Sequence, residues 1–459
     1  MLDKRIAGDV LLKAMSGGAD FAEIYFELTR TNDINFTDGK IEKINDNVIC
    51  GVGIRAFYGT QTLYASTCDT SRGGLLKCAE RVADIMSVDK QHLSVNLTER
   101  INPNVHPVLI EPVGAGIRNK IDLLKSGCNA ALRYDNHIEQ TQGILLGVDH
   151  TVYIANTEGL YTSDRHVRTR MIVKSIASNG TEKQTGMCSP GRGMGLEMFE
   201  IFTPEDIGRE ASRQAMVNLR ADYCKAGQMT VAIENGFGGV IFHEACGHSL
   251  EATCVGIGTS KMCGKLGQKI ANEKVTAIDD GTIAGAWGST NIDDEGHPTQ
   301  KNVLIENGIL KKYMIDRLGS IRMGMPRTGN GRRQGYSYEP TSRMTNTYID
   351  NGPDKNEDII KSIEYGLYAK QMGGGSVNPL TNDFNFAVTE GYIVRNGEIC
   401  EPVRGAILIG NGAEILQNID MVGQNLARGQ GMCGSISGNV PTDVGQPLIR
   451  VSKITVGGR

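Results

Sequence analysis

The spacing of hydrophobic side chains switches between a helical and an extended period along the first 200 residues. Residues 5–15 have the helical period, and the pair Gly17-Gly18 follows them, as glycine does at many helix ends. Apolar and polar side chains then alternate over residues 21–28, which predicts a strand. The same period of two returns over residues 41–50, 51–58 and 60–65. These short, closely spaced strands are typical of an antiparallel meander.

Helical patterns follow at residues 75–86 and 117–134, and the second leads into a further series of strands that ends near residue 178. The pair Thr203-Pro204, with acids behind it, predicts the start of a helix that runs to about residue 223. We place the domain boundary after that helix. Residues 1–223 are therefore predicted to form an N-terminal α+β domain, an antiparallel sheet with flanking helices.

The second predicted domain, residues 224–459, is mostly β and barrel-like. Its strand patterns are separated by glycine turns and lie at residues 229–234, 301–305, 309–315, 344–349, 387–394 and 406–409. Residues 237–253 are the exception, because their apolar positions predict a core helix. This helix also holds the candidate active-site residues. The fold class is thus α+β, with one active-site helix in the second domain.

Composition and charge exclude several classes of function. The 48 lysines and arginines nearly balance the 52 acidic residues, leaving a net charge of −4, so we expect binding to neither nucleic acid nor membranes. No apolar run reaches the ~18 residues of a spanning helix, and the charged, weakly apolar first residues predict no export signal. The 11 cysteines contain no repeated CxxC pair. We therefore expect a soluble, cytoplasmic protein whose cysteines are mostly small buried side chains.

The string HEACGH at residues 243–248 is the strongest candidate for chemistry and uses two of the eight histidines. In the zinc-protease pattern H-E-x-x-H, the imidazoles lie four residues apart, about 40° around a helix, and reach one metal ion. His243 and His248 lie five residues apart, about 140° on an unbroken helix. Joint metal binding therefore requires irregular backbone at residues 245–248, and Gly247 is the residue that permits it.

A metal site also needs a third ligand, for which the residues offer several choices. Glu251 lies on the face of His248, and Cys433 lies in a glycine-flanked turn that could present a thiolate from a distance. Cysteines close to the string are Cys246, Cys254 and Cys263. His297 could supply an imidazole, although no ligand spacing links it to the string and a loop histidine is the simpler interpretation. The string is also compatible with two buried histidines that bind no metal.

The segment FHEACGHSLEA at residues 242–252 resembles the signature of the TldD/TldE (PmbA) zinc metalloprotease family. Within that family it resembles the catalytic subunit, because the partner subunit lacks the histidine motif. Further blocks of that family occur in the same order along the chain. They are DDEG with PTQ at 293–300, LIENGIL at 304–310, DR at 316–317, TGNGRR at 328–333, RMTNT at 343–347 and VGQP at 444–447. Several ordered blocks are far more specific than one hexapeptide, and the resemblance covers essentially the whole chain.

The resemblance implies a Zn²⁺ peptidase whose metal is bound by the motif histidines, His243 and His248, and by a late cysteine, Cys433. Glu244 corresponds to the catalytic glutamate, which takes a proton from the zinc-bound water and passes it to the leaving amine. The resemblance further implies hydrolysis of short or unfolded peptides, including leader trimming in peptide maturation. The site would be enclosed in a homodimer or in a heterodimer with a TldE/PmbA-like subunit.

Arginines in a glycine-rich setting could bind a substrate carboxylate or carbonyl in bidentate geometry. Ordinary ion pairing with nearby acids is the alternative role for them. The candidate substrate-binding residues are Arg332, Arg333, Arg343, Thr345 and Asn346.

Two other functions remain compatible with these residues. One is a non-catalytic regulatory or binding subunit, in which a fourth protein ligand such as Cys246 or Cys254 would close a structural zinc site. The other is a different zinc hydrolase, such as an amidase, which would share the same active site.

Overall fold

The computed structural model describes residues 2–84, 94–378 and 381–459. The predicted helix at residues 75–86 corresponds to a helix that ends at Ala83, and the last two positions of the prediction lie outside the described residues. No helix within the described residues is long and apolar enough to cross a membrane.

An eight-stranded sheet dominates the N-terminal half. Its strands are β1 (Phe21–Thr37), β2 (Lys40–Tyr58), β3 (Gln61–Thr67), β4 (Thr98–Arg100), β5 (Ile138–Asn156), β6 (Leu160–Ser178), β7 (Lys183–Cys188) and β8 (Gly191–Arg192). Their order is β3-β2-β1-β5-β6-β4, and both β7 and β8 pair with β6. All neighbouring pairs except the parallel pair of β4 and β6 are antiparallel. The predicted antiparallel sheet is confirmed.

Four helices flank this sheet, as predicted: α1 (Lys4–Met15), α2 (Arg72–Ala83), α3 (Ile117–Leu132) and α4 (Pro204–Arg220). Helix α1 begins where the Asp3 carboxylate accepts two backbone N–H groups, and α4 begins at the cap Thr203. The apolar faces of α1 and α2 cover one end of the sheet, and those of α3 and α4 cover the other.

The predicted strands at residues 41–50 and 51–58 form one continuous strand, β2. Gly51 and Gly53 lie inside this strand, where they serve close packing. A Cβ on Gly51 would lie 2.4 Å from the ring of Tyr336, and one on Gly53 would meet the hydroxyl of Tyr64. The two glycines therefore make room for aromatic side chains that pack on the sheet.

The C-terminal half is rich in short strands. They are β9 (Asp222–Tyr223), β10 (Gly227–Ile233), β11 (Ala277–Asp280), β12 (Lys301–Glu306), β13 (Ile309–Leu310), β14 (Gly331–Arg332), β15 (Thr341–Ser342), β16 (Asn346–Ile349), β17 (Tyr365–Val377), β18 (Asp383–Arg395), β19 (Glu398–Arg404), β20 (Ile407–Asn411), β21 (Ile419–Val422), β22 (Ala427–Ser435), β23 (Gly438–Gln446) and β24 (Ile449–Gly457). The helices are α5 (Val240–Ala245), α6 (Ala252–Val255), α7 (Arg317–Met323), α8 (Asn356–Lys361) and α9 (Gly412–Asn418).

Five of these strands close into a barrel in the order β17-β10-β24-β20-β18, because β18 pairs again with β17. The barrel-like character predicted for this half is thus confirmed. A separate six-stranded sheet has the order β13-β12-β11-β16-β23-β22 and ends at the edge strand β22. Helix α5 contacts β17 and β18 of the barrel and β16 and β23 of the six-stranded sheet. The candidate active-site helix therefore lies at the junction of the two β structures.

Candidate metal centre

The two histidines of the HEACGH string lie on two different helical segments. His243 belongs to α5, which ends at Ala245, and His248 belongs to a 3₁₀ turn over Gly247–Leu250. Cys246 lies between them with φ −130° and ψ −42°, outside the helical region. The predicted irregularity at residues 245–248 is confirmed, and it turns the two imidazoles toward each other.

Gly247 has a different role from the one expected of it. The non-helical backbone is at Cys246, whereas Gly247 is required because the side chain of Met344 packs directly against it. A Cβ on Gly247 would lie 2.3 Å from Met344 Sδ, well inside van der Waals contact. The packing of Met344, two residues before β16, against the turn thus depends on the absence of a side chain at residue 247.

We expect Gly247→Ala to lower the free energy of unfolding by about 1–3 kcal/mol, because the buried Met344 side chain must move. Urea unfolding followed by circular dichroism measures this change. The matched control is Gly8→Ala in α1, where a Cβ would meet no atom within 4 Å. The control should be neutral or stabilising, because alanine favours helices. Equal stabilities of Gly247→Ala and wild type would contradict this account of the turn.

Cys433 brings a sulfur between the two imidazoles from the edge strand β22. Its Sγ lies 3.2 Å from His243 Nε2 and 3.3 Å from His248 Nε2. The two rings are 5.1 Å apart and inclined at 80°. One ligand atom from each of the three residues lies within 4.8 Å of the others. The structure therefore brings together three side chains that are up to 190 residues apart in sequence.

The charges of this cluster favour a thiolate. Burial alone would raise the pKa of Cys433, but the charge of His243 and hydrogen bonds from both imidazoles lower it to about 3. Burial would likewise lower the pKa of His248, but the carboxylate of Glu251 and the Cys433 sulfur raise it well above its usual value. A cation with affinity for sulfur and nitrogen could replace the protons of this cluster.

The three donors fit Zn²⁺ in number and type, and both sulfur–nitrogen separations are close to those of a zinc site. Zn–S and Zn–N bonds of about 2.3 and 2.0–2.1 Å at tetrahedral angles place sulfur and nitrogen about 3.5 Å apart. The two measured sulfur–nitrogen distances are 3.2 and 3.3 Å. Two imidazoles and one thiolate are three protein ligands, which is the number that catalytic zinc sites use.

Two carboxylates flank the cluster in different positions. Glu244 Oε2 lies 3.7 Å from His248 Nε2, on the ligand side of the ring, and its side chain is 29% exposed. Glu251 is buried, and its Oε2 lies 3.1 Å from His248 Nδ1, on the opposite side of the ring. Glu251 therefore orients the imidazole in the manner of an outer carboxylate, whereas Glu244 lies beside the ring nitrogen that also contacts Cys433.

Three family models match consecutive parts of the chain. They describe domain 1, the central domain and the C-terminal domain of the PmbA/TldA metallopeptidases, and they match residues 22–85, 111–219 and 226–458. The Metalloprotease TldD homolog of Haemophilus influenzae is 37% identical over 448 residues, which cover 96% of this chain and 93% of that protein. The chain belongs to the PmbA/TldD metallopeptidase family.

More distant members of the PmbA/TldD family also match along nearly their whole length. The Zinc metalloprotease TldD homolog of Saccharolobus solfataricus is 26% identical over 455 residues, covering 97% of this chain and 98% of that one. The crystal structure of TldE from Thermococcus kodakarensis has a TM-score of 0.76 at 20% sequence identity and covers 99% and 100% of the two chains. At that identity the likeness concerns the fold alone.

Among the other candidate ligands of this PmbA/TldD family chain, Glu251 contacts His248 on the far side of its ring, and Cys246, Cys263 and His297 do not join the cluster. Within the described residues, His243, His248 and Cys433 are the one group of three potential ligands that converge. Cys246 is buried and its thiol donates to the carbonyl of Gly412, and the thiol of Cys263 donates to Val255. His297 interacts with the carbonyl of Pro298, as expected for a loop histidine. No further cysteine joins the three donors in the part of the chain that the structure describes.

The five candidate substrate-binding residues are all buried and already bonded within the protein. Arg343 donates to the carbonyl of Cys433, and Arg332 donates to those of Met344 and Pro441. Arg333 pairs with Glu23, while Thr345 and Asn346 donate to Asp279 and to the carbonyl of Asp280. A role in substrate binding stays a prediction for all five.

Sequence reasoning missed the part that Arg343 plays in the cluster. Its Nη2 donates to the carbonyl of Cys433 at 2.5 Å, and its Nη1 donates to Ser437 and to the carbonyl of Gly438 in the turn after β22. Its Nε lies 3.9 Å from Glu251 Oε1. Arg343 thus holds the backbone that presents the sulfur. No spacing rule connects it with a cysteine 90 residues later.

Proposed function

We propose that this chain is a zinc-dependent peptidase that hydrolyses short or unfolded peptides, with Glu244 as its general base and acid. The convergence of His243, His248 and Cys433 beside a partly exposed glutamate is the observation that carries the proposal. The three side chains would hold one Zn²⁺. Membership of the metallopeptidase family supports the same activity.

Bound zinc would supply Lewis-acid chemistry, polarising the scissile carbonyl and lowering the pKa of a water molecule. Glu244 would accept the proton of the attacking water, and the position of its Oε2 on the ligand side of His248 supports this role. The protonated Glu244 then donates that proton to the leaving amine. Glu251 and Arg343 fix the orientation of His248 and the backbone of Cys433, so that the donors need little reorganisation.

Leader trimming in peptide maturation is the physiological role that we propose. We further propose a closed homodimer, or a heterodimer with a TldE/PmbA-like subunit, as the functional particle. The likeness in fold to TldE of Thermococcus kodakarensis supports a pairing of two similar chains. Within each chain we propose an N-terminal domain at residues 1–223 and a C-terminal metallopeptidase domain at residues 224–459.

Hydrolysis of an unstructured fluorogenic peptide tests the proposed activity. The purified chain, alone and together with a TldE-like chain from the same host, should cleave the peptide in the presence of zinc. Removal of the metal by a chelator should abolish cleavage, and stoichiometric zinc should restore it. Cleavage that survives metal removal, or its absence in both preparations when zinc is bound, would contradict the proposal.

A further inference from the structure

A groove of about 570 Å³ lies between the N-terminal sheet and the strands β17 and β22, outside the metal cluster. Four basic side chains line it: Arg170, Lys174, Arg192 and Arg428. Its described lining includes no aspartate or glutamate. The whole protein carries a net charge of −4, so the positive charge of this groove is opposite in sign to that of the chain. Such local charge attracts anionic ligands.

The four basic groups have few partners within the protein. Arg170 donates to the carbonyl and the hydroxyl of Ser189, both at 3.2 Å. Arg192 donates to the carbonyl of Gly191 at 2.9 Å, and its guanidinium stacks on the ring of Phe202. No hydrogen bond joins the ends of Lys174 and Arg428 to any described residue. None of the four makes an ion pair with a carboxylate in the described part of the chain.

Partial burial of these four basic groups without carboxylate partners costs free energy in the unliganded protein. Arg170, Lys174, Arg192 and Arg428 are all half-buried. Loss of solvent lowers the pKa of Arg170 and of Arg192, and the positive charge of Arg428 contributes to the effect on Arg192. The negative charge of Asp443 raises the pKa of both arginines. Its carboxylate, however, accepts a hydrogen bond from the backbone of Trp287 and none from any described arginine. An anionic ligand would supply the missing compensation.

The groove is joined to the metal cluster by β22, which carries Cys433, and by the turn that precedes α5 and His243. Gly429 lines it and lies four residues before Cys433 on β22. Phe237 lines it as well, in the 3₁₀ turn Gly236–Gly239 that leads directly into α5 and His243. Four residues of strand span about 13 Å. An extended peptide would therefore need about four residues to reach from the groove to the metal cluster.

We infer that this groove binds carboxylate groups of the peptide substrate, about four residues from the bond that is cleaved. The inference rests on the proposed peptidase function and names its preferred substrates as acidic peptides. Arginine guanidinium groups bind carboxylates in bidentate geometry, and the basic groups come from three strands, β6, β8 and β22. Their spread along the groove fits several carboxylates on an extended chain better than one compact anion.

Binding of two matched peptides tests the groove independently of hydrolysis. The full chain carrying Glu244→Gln is titrated against a labelled ten-residue peptide with three consecutive glutamates, and against the same peptide with three glutamines, using fluorescence anisotropy. We expect the glutamate peptide to bind at least about tenfold more tightly at low salt, and added salt to reduce the difference. Equal affinities for the two peptides would overturn the inference.

Two substitutions locate the effect in the groove. Arg428→Gln and Lys174→Gln, alone and combined, should each reduce the preference for the glutamate peptide, with the double variant approaching equal affinity. The matched control is Arg118→Gln, an exposed arginine on α3, which should retain the preference. Retention of the full preference in the double variant would overturn the inference. So would tighter binding of a single-stranded oligothymidylate than of the glutamate peptide, because that result would indicate a phosphate ligand.

Cleavage mapping tests the predicted distance. Wild-type protein with zinc is given peptides in which the three glutamates are moved one residue at a time, and the products are identified by mass spectrometry. The cleavage site should move with the glutamates and stay about four residues away. A cleavage site that stays at the same bond when the glutamates are moved would contradict the inference. Absence of all cleavage would instead contradict the proposed peptidase activity, while the binding preference would remain measurable.

Discussion

Replacement of Glu244 by glutamine is expected to lower kcat/KM on an unstructured peptide by about 10²–10⁴-fold. The glutamine keeps the size of the side chain but cannot take a proton from water at neutral pH. Zinc content should stay at one ion per chain, because Glu244 is not among the three converging donors. Steady-state kinetics and elemental analysis of the same sample measure the two quantities.

The matched control for this substitution is Glu273→Gln, since that side chain is 79% exposed. The control should keep the wild-type kcat/KM and zinc content. A Glu244→Gln protein that cleaves as fast as wild type would contradict the role assigned to this carboxylate. Loss of zinc in the same variant would mean that Glu244 belongs to the metal site itself.

Replacement of Arg55 by methionine is expected to lower the free energy of unfolding by about 3–5 kcal/mol. Arg55 is fully buried in β2, with Nη2 at 2.9 Å from Glu23 and 2.5 Å from Glu295. Glu295 comes from the C-terminal half, so this arginine joins the two halves of the chain. Burial would raise the pKa of Glu23, but Arg55 and Arg333 together lower it. Methionine would leave two buried carboxylates with less compensation.

Urea unfolding followed by circular dichroism measures the effect of Arg55→Met. The control is Arg72→Met, which removes an ion pair with Asp9 on the surface, where both side chains are well exposed. That change should cost less than about 1 kcal/mol. Similar losses in the two variants would contradict the role of Arg55 as a buried link between the halves.

The local features of the metal centre could be predicted from the sequence. A five-residue spacing between His243 and His248 cannot bring both rings to one metal ion on a regular helix, so the break at residues 245–248 followed from helix geometry. The period-two pattern likewise predicted the antiparallel sheet of the first half. Both depend on residues that are close together in the chain.

Contacts between distant residues could not be predicted from spacing. Cys433 was one of several possible third ligands until the family resemblance favoured it, because 185 residues separate it from His248. The link between Arg55 and Glu295 spans 240 residues and has no signature in sequence. The closure of the barrel depends on the second pairing of β17 with β18, which a list of strands does not contain.

The role of Gly247 was predicted wrongly. Its position suggested backbone freedom, but Gly247, like Gly51 and Gly53 in β2, lies against a neighbouring side chain where a Cβ would not fit. Arg332 and Arg343, in another glycine-rich region, are buried as well. Glycine has two uses, conformational freedom and close approach, and sequence alone does not distinguish them.

Zinc K-edge X-ray absorption of the purified protein tests the central claim most directly. We expect one sulfur at about 2.3 Å and nitrogen or oxygen ligands at about 2.0–2.1 Å around a single zinc ion. In Cys433→Ala the sulfur contribution should disappear. Two or more sulfur ligands in the wild type, or a sulfur contribution that persists in Cys433→Ala, would contradict the site built from His243, His248 and Cys433.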